Sequence, residues 1–159
     1  MLRKQGMKLL ISDGPTCTVT STAMLLNVEP RELIQEIGHD GLAICWPEYT
    51  DDRRFRGHCI AEVQDCCLRR GRLLAPIFVN PYVAPDYDAQ PVQVYERPWR
   101  RITDYMKHDA LVIGMLGKGV HHAVAYNAAE GVYYDPRGYK IPREGMQMEI
   151  KEIYIVAKI

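Results

Sequence analysis

Three side chains, far apart in the sequence, could together perform nucleophilic catalysis. Cys17 follows a Gly-Pro turn at the predicted start of an apolar helix, where the helix dipole and exposed N–H groups favour a thiolate. His122 lies at the start of a predicted strand, and Asp135 lies at the end of the next one. A thiol, an imidazole that accepts its proton and a carboxylate that orients the imidazole form a complete catalytic triad. The sequence therefore predicts a cysteine nucleophile, and a buried structural thiol is the alternative for Cys17.

The neighbouring histidine, His121, is a weaker candidate for the base. Successive side chains of a strand point to opposite faces, so His121 and His122 cannot both face the same partner. We interpret His121 as a candidate for substrate binding.

The other cysteines do not form a disulfide framework, because the chain has an odd total of 5 cysteines. We expect reduced thiols, most of them buried as small apolar side chains. A zinc site built from Cys45, His58 and Cys66 is conceivable, but neither a CxxC nor an HxxxH pair supports it. We therefore predict neither a metal nor a cofactor.

Composition and charge favour an ordinary globular protein. The 159 residues, of which 47% are hydrophobic and 25% charged, fit a single domain over residues 1–159. Lys and Arg number 20, as do Asp and Glu, so no global field attracts the chain to nucleic acid or to an anionic membrane. No apolar run is long enough for a spanning helix, and the N-terminus lacks the pattern of a signal peptide. We expect a cytoplasmic protein with no nucleic-acid or membrane partner; the oligomeric state is left open.

Hydrophobic patterning and turn residues predict helices early and strands late. Predicted helices cover residues 16–27, 30–38, 58–70 and 99–107, and predicted strands cover residues 73–79, 110–116, 121–126, 131–135 and 148–156. The Thr and Ser residues of the first helix indicate a buried helix whose hydroxyls bond back to the preceding turn. The order of elements is typical of an α+β domain with an antiparallel sheet.

A long connection between the two halves is rich in proline and tyrosine. Residues 80–98 contain four prolines and the tyrosines Tyr82, Tyr87 and Tyr95. Long connections inside a domain are usually functional, and tyrosines offer flat amphipathic surfaces to an extended chain. We interpret these tyrosines as candidates for substrate binding, with an ordinary surface loop as the alternative.

Short motifs around the three candidate residues resemble the papain-like cysteine peptidases, and most closely the small bacterial C39-like peptidases. In papain-like peptidases the catalytic histidine opens a His-Ala-Val-Ala run, as His122 does here, and in C39-like members the third residue is often an Asp followed by Pro, as at Asp135. The resemblance implies a papain-like α+β fold, in which N-terminal helices carry the cysteine and a C-terminal antiparallel sheet carries the histidine and the aspartate. It implies that Cys17 is the nucleophile, His122 the general base and Asp135 the orienting group.

Two positions depart from the pattern of that family. The family usually has an oxyanion-binding Gln about six residues before the cysteine, where this chain has Ile11, and a Gly or Trp after the cysteine, where it has Thr18. The backbone N–H of Cys17 is then one candidate donor for an oxyanion, and Ser12, Asp13 and Thr16 are the others. Loss of one donor costs on the order of a hundredfold in rate, so we expect that activity is weak.

Two functions of different classes remain open. The first is a cysteine peptidase, or a related thiol hydrolase or transferase, that cleaves a peptide, isopeptide or amide bond of a peptide or protein substrate. The second is a catalytically weak or inactive papain-like domain that binds a protein partner through residues 80–98. Small C39-like proteins also occur in phage and mobile-element genomes, so the resemblance is compatible with a phage or bacterial source and a role in host interaction.

Overall fold

The computed structural model describes residues 6–42, 57–79, 106–117 and 120–159, with the side chains of Phe78 and Val79 excepted. Within these ranges, three α-helices and a six-stranded antiparallel sheet form an α+β architecture. The helices are α1 (Cys17–Leu26), α2 (Pro30–Ile37) and α3 (Ile60–Leu68), and a 3-10 turn covers Arg143–Gly145. The strands are β1 (Arg72–Val79), β2 (Ala110–Leu116), β3 (Val120–Asn127), β4 (Val132–Asp135), β5 (Tyr139–Pro142) and β6 (Glu149–Lys158).

The first helix is buried along most of its length, as its sequence predicts. Thr20, Ser21 and Thr22 are all fully buried although they carry hydroxyls. The hydroxyl of Thr22 donates to the carbonyl of Thr18 at 2.8 Å, which is the predicted bond to the preceding turn. Asn27 ends the helix in the left-handed conformation with φ of 56°, a conformation that Asn adopts more readily than most residues.

The second and third helices begin with reciprocal caps. In α2, Pro30 occupies the first turn and Glu29 and Glu32 form a capping box. In α3, the backbone N–H of Cys59 donates to the carboxylate of Glu62 at 2.8 Å. The cap of α3 involves Cys59, which also borders the candidate site described below.

The strands follow the spatial order β1-β6-β2-β3-β4-β5. All five predicted strands are present within one or two residues of their expected ends, and β5 is an additional short strand that the sequence did not predict. The last strand, β6, lies inside the sheet, where it pairs with β1 on one side and with β2 on the other. Consequently the central strands β6, β2 and β3 lie side by side and hold His122 on a rigid part of the sheet.

Two groups of buried apolar side chains lie on the two faces of the sheet. On one face, Val19, Leu33 and Val63 from the helices pack with Leu111 and Ala123. The other face buries a second cluster consisting of Ala110, Val112, Val124, Tyr126, Tyr133, Met148 and Ile153. Because residues alternate along β3, His122 shares its face with Val124, whereas His121 shares its face with Ala123.

Gly114 is required where β2 passes β6. The pairing register of these strands shifts between Ile113 and Gly114. A Cβ atom at Gly114 would overlap the carbonyl oxygen of Glu149 and lie 2.8 Å from the side chain of Met148. Gly114 also pairs with His122 across β2 and β3. The close approach of β2 to β6 at Gly114 therefore lies directly beside the residue pair that contains the histidine.

Two predictions fall mainly on residues that the structure does not describe. The long connection at residues 80–98 lies outside the described ranges, as does most of the helix predicted at 99–107. In the described ranges, no helix has the length and apolar character needed to cross a membrane.

Candidate active site

The N-terminus of α1 docks beside β3 at the place where β3 has no pairing with β4. Strand β4 pairs with β3 from Ala125 onward, so the backbone N–H and carbonyl of Ala123 are left to interact with α1. The buried hydroxyl of Ser21 donates to the Ala123 carbonyl at 3.0 Å, and the Ala123 backbone N–H helps to lower the pKa of Cys17. The backbone of one residue thereby links α1 and its first residue to the strand that carries His122.

The side chains of Cys17 and His122 are close enough for each to shift the pKa of the other through hydrogen bonding and charge. Burial raises the pKa of Cys17, but the hydrogen bond and charge of His122, together with bonds from Ala123 and Thr18, outweigh burial and leave the pKa below that of an ordinary thiol. Burial lowers the pKa of His122, but Asp135 and Cys17 more than offset this and raise it to about 9. Opposite shifts of this kind stabilise a thiolate beside an imidazolium.

Asp135 binds the far side of the histidine ring. The His122 Nε2 atom lies 3.0 Å from Oδ1 of Asp135, whose side chain is fully buried. Because Nε2 is engaged by the carboxylate, Nδ1 is the ring nitrogen that remains for the Cys17 thiol. The structure therefore brings the three residues predicted from the sequence into one chain of contacts, from Cys17 through His122 to Asp135.

A fourth residue, Arg137, holds the Asp135 carboxylate in place. The Arg137 Nη2 atom lies 2.7 Å from Oδ2, and Nε lies 3.0 Å from Oδ1. The backbone N–H of Arg137 also donates to Oδ1 at 2.8 Å. Burial raises the pKa of Asp135, yet hydrogen bonds from His122 and Arg137 outweigh that effect and hold its pKa well below the usual range. Asp135 is therefore ionised and oriented before any ligand binds.

Sequence reasoning missed Arg137, although its spacing was visible. An arginine two residues after an aspartate, across a Pro in a turn, can place its backbone N–H and its side chain on the same carboxylate. The guanidinium also lies over the ring of Tyr139, 5.0 Å from its centroid. The signal was short and local, and it became specific only once Asp135 had been assigned a role.

The hydroxyls proposed as oxyanion donors bond within their own segment. Thr16 Oγ1 donates to the Asp13 carbonyl at 3.0 Å and lies 2.7 Å from Ser12 Oγ. Asp13 itself is exposed. The N–H of Cys17 belongs to the first helical turn, whose N–H groups have no acceptor within the helix, so it is the donor that this geometry favours.

Ile11, at the position where the resembling family has Gln, lies at the surface near the Asp135 turn. Its side chain is 72% exposed, and its Cδ1 atom would be 3.4 Å from a Cβ atom placed on Gly138. The backbone N–H of Ser12 donates to the Pro136 carbonyl at 2.7 Å. The segment before α1 is thus fastened to the turn that carries Arg137, but it presents an alkyl group and no amide there.

A cavity of about 330 Å³ is bordered by Cys17, and we call it the Cys17 cavity. The residues around it include Cys17, Thr18, Cys59, His121, His122 and Glu152. A second cavity of about 300 Å³ lies on the other side of His122 and is bordered by Asp135, Arg137 and Met148 among others. His122 therefore stands between two spaces, and His121 contributes to the first of them.

The remaining predicted residues are distributed as follows. Tyr82, Tyr87, Tyr95 and Cys45 lie outside the described residues. Cys66 and Cys67 are buried in α3, as expected, and burial raises the pKa of Cys67 to about 12. Cys59 is exposed at the start of that helix. No group of three or more His, Cys, Asp or Glu side chains in the described ranges is arranged to hold a metal ion.

Comparison with protein-family models, with curated proteins and with solved structures finds no match to this chain. The geometry of the four residues therefore has to support any functional assignment by itself.

Proposed function

We propose that this protein is a papain-like thiol hydrolase or transferase that acts on a peptide, isopeptide or amide bond through Cys17, His122 and Asp135. The observation that supports this proposal best is the buried His122 Nε2 to Asp135 Oδ1 contact of 3.0 Å, on a ring whose interaction with Cys17 lowers the pKa of the thiol. If Cys17 were only a buried structural residue, it would not require a histidine oriented by a carboxylate beside it. If His122 were only structural, it would not require a thiol at the start of a helix.

The acylation step uses the two opposite pKa shifts. The Cys17 thiolate attacks the carbonyl carbon of the substrate, and the carbonyl electron pair moves onto the oxygen, which the N–H of Cys17 can stabilise. When the carbon–nitrogen bond breaks, the His122 imidazolium gives its proton to the leaving nitrogen. The products of this step are a free amine and a thioester on Cys17.

The deacylation step reverses the role of His122. The neutral ring accepts a proton from water as the water oxygen attacks the thioester carbonyl, and Cys17 leaves as a thiolate beside the re-formed imidazolium. If an amine takes the place of water, the same step transfers the acyl group. Asp135, held by Arg137, keeps Nε2 protonated and the ring in position throughout both steps.

The Cys17 cavity provides a place for the acyl half of a substrate, because Cys17 and His122 both border it. The leaving nitrogen must lie on the Cys17 side of the His122 ring, because Nδ1 is the nitrogen that gives up a proton while Nε2 stays bound to Asp135.

The alternative function is a domain of this fold that binds a protein partner without chemistry. Ile11 is the observation that favours it, because an alkyl group stands where the resembling family has an oxyanion-binding Gln. A site with one oxyanion donor fewer would be slow, on the order of a hundredfold or more, but it would still form a thioester.

The two functions are separated by an assay for turnover. The protein is incubated with a pool of peptides from a digested proteome, with and without hydroxylamine as an acyl acceptor, and new peptide ends and hydroxamates are identified by mass spectrometry. We expect products from the unmodified protein and from Cys59→Ala, which removes another thiol of the same cavity, and none from Cys17→Ala or His122→Ala. Product patterns that do not change in Cys17→Ala would favour the binding function.

A further inference from the structure

The Cys17 cavity contains a carboxylate that the proposed reaction does not use. Glu152 lies on β6 and pairs with Ile113 of β2, which in turn pairs with Ala123 of β3. Glu152 therefore lies two strands away from the histidine strand, on the same sheet, and it borders the Cys17 cavity.

Glu152 is partly buried, and its environment shifts its pKa. Burial raises the pKa of Glu152, while hydrogen bonding with Tyr154 and the charge of His121 lower it by a smaller amount, so the net shift is upward. Tyr154 is 5% exposed and belongs to the core under the helices. Glu152 is thus partly removed from water beside a buried tyrosine.

The charges around the cavity leave one carboxylate in excess. The Cys17 thiolate and the His122 imidazolium border the cavity as a pair of opposite charges. Glu152 is the one carboxylate that borders it among the described residues, and neither Lys nor Arg borders it in that part of the chain. A partly desolvated carboxylate gains most from a cation that enters the same low-dielectric space. His121 is close enough to interact with Glu152 electrostatically.

We propose, on the basis of the function proposed above, that the Cys17 cavity binds a positively charged group of the substrate acyl half, an ammonium or a guanidinium, and that Glu152 selects it. Such a group is supplied by a Lys or Arg side chain or by a free amino terminus. Thr18 and His121 border the same cavity and offer further polar contacts to the incoming group. Glu152 acts on binding and takes no part in the transfer of protons.

The charge preference can be measured without knowing the substrate. Two methanethiosulfonate reagents of similar size, one with an aminoethyl cation and one with a sulfonatoethyl anion, each attack Cys17. The thiolate forms a disulfide with the transferred thioalkyl group, and methanesulfinate leaves. Rates at Cys17 are read by mass spectrometry of the Cys17 peptide, so that the other cysteines do not contribute.

In this assay, Glu152→Gln should lower the ratio of the cation rate to the anion rate by about fivefold, a value typical of one charge a few ångströms away in a partly wet site. Glu152→Asp should keep most of the preference. Glu149→Gln is the matched control, because it removes an equal charge from the same strand at an exposed position paired with Lys151; its ratio should stay at the unmodified value. His121→Gln should leave the ratio equal or higher. An unchanged ratio in Glu152→Gln would overturn the proposal.

A second measurement needs no variant and remains available if Glu152→Gln does not fold. In the unmodified protein, n-butylammonium should protect Cys17 from uncharged iodoacetamide, and butyrate at equal concentration should not; equal protection by butyrate would overturn the proposal. The same reagent distinguishes this proposal from the proposed function. A slow reaction of Cys17 with iodoacetamide would contradict the proposed catalytic site. A fast reaction without a preference for the cation would contradict only the proposed role of Glu152 in selecting a cation.

Discussion

Arg137 binds Asp135 at two points, with Nη2 2.7 Å from one carboxylate oxygen and Nε 3.0 Å from the other. The carboxylate is fully buried, whereas the arginine side chain is 45% exposed. The same carboxylate is the partner of His122. A solvent-facing cation therefore balances the buried charge of the candidate triad, and its removal should affect the site without opening the core.

Replacement of Arg137 should reduce stability in a pH-dependent way. The pKa of Asp135 is depressed in the folded protein, so its ion pairs stabilise the fold above the unfolded pKa of about 4 and lose that effect as pH falls through the folded pKa. We expect Arg137→Gln to lower the free energy of unfolding by about 1–2 kcal/mol at pH 7, a modest value because the guanidinium is half exposed. The difference should shrink below about pH 4, as measured by urea unfolding.

The matched control for Arg137 is Arg69. It forms an ion pair with Glu36 at 3.0 Å, but its side chain is 63% exposed and the pair lies away from the site. Arg69→Gln should change stability by less than about 0.5 kcal/mol, and Cys17 reactivity should not change. Equal losses in the two variants, at every pH, would mean that Arg137 has no specific role at Asp135.

The two substitutions of Asp135 should separate orientation from charge. In Asp135→Asn the amide oxygen can still accept a hydrogen bond from His122 Nε2, whereas Asp135→Ala leaves that nitrogen without its partner. The rate of Cys17 alkylation at neutral pH should therefore fall less in Asp135→Asn than in Asp135→Ala. In both variants, NMR titration of the His122 ring should show a pKa below the present value of about 9, because a neighbouring anion is lost. If Cys17 reacted in Asp135→Ala as fast as in the unmodified protein, Asp135 would have no role in the mechanism.

The positions of Cys17, His122 and Asp135 in the fold could be predicted from the sequence because their signals are local. Cys17 follows a Gly-Pro turn at the head of a helix, and His122 and Asp135 occupy the ends of neighbouring strands. Turn residues and short-range periodicity set each of these positions. The order of the helices and strands then predicts that the three side chains come together.

Other parts of the site depend on contacts that no local pattern encodes. Glu152 reaches the Cys17 cavity because β6 inserts between β1 and β2, and strand order in a sheet depends on long-range packing. Strand β5 is short and mostly exposed, so its periodicity was too weak to predict it. Arg137 could be recognised only after its partner Asp135 was known.

The hydrogen bond from Ser21 to the Ala123 carbonyl should hold α1 against β3. Ser21→Ala leaves a buried carbonyl without this donor, which costs about 1–3 kcal/mol, and it should also slow the alkylation of Cys17 because the helix start is less firmly placed. Thr22→Val is the control, since Thr22 is equally buried but bonds within its own helix. Calorimetric melting and alkylation of both variants test this role, and similar effects in the two would argue against a specific bond.

Gly114 should tolerate no side chain. Gly114→Ala forces a methyl group against the Glu149 carbonyl and should cost about 3 kcal/mol or more, the upper range for overpacked sites. At Gly145 a Cβ atom would meet its nearest neighbours at 3.7 Å, an ordinary contact, so Gly145→Ala should leave the melting temperature nearly unchanged. A Gly114→Ala protein as stable as Gly145→Ala would contradict the described approach of β2 and β6.

The pH dependence of Cys17 alkylation tests whether Cys17 and His122 act as a nucleophile and its base. The rate of reaction with iodoacetamide is measured from pH 4 to pH 10 by mass spectrometry of the Cys17 peptide, with N-acetylcysteine as the reference thiol. Because His122 lowers the pKa of Cys17, we expect the alkylation rate to rise at a pH clearly below the pH at which N-acetylcysteine becomes reactive. A second change in rate should follow near pH 9, as His122 loses its proton. In Asp135→Ala, the first increase in rate should shift back toward the pH of N-acetylcysteine. A Cys17 rate that follows N-acetylcysteine, or rises at higher pH, would contradict the assignment of Cys17 and His122 as nucleophile and base.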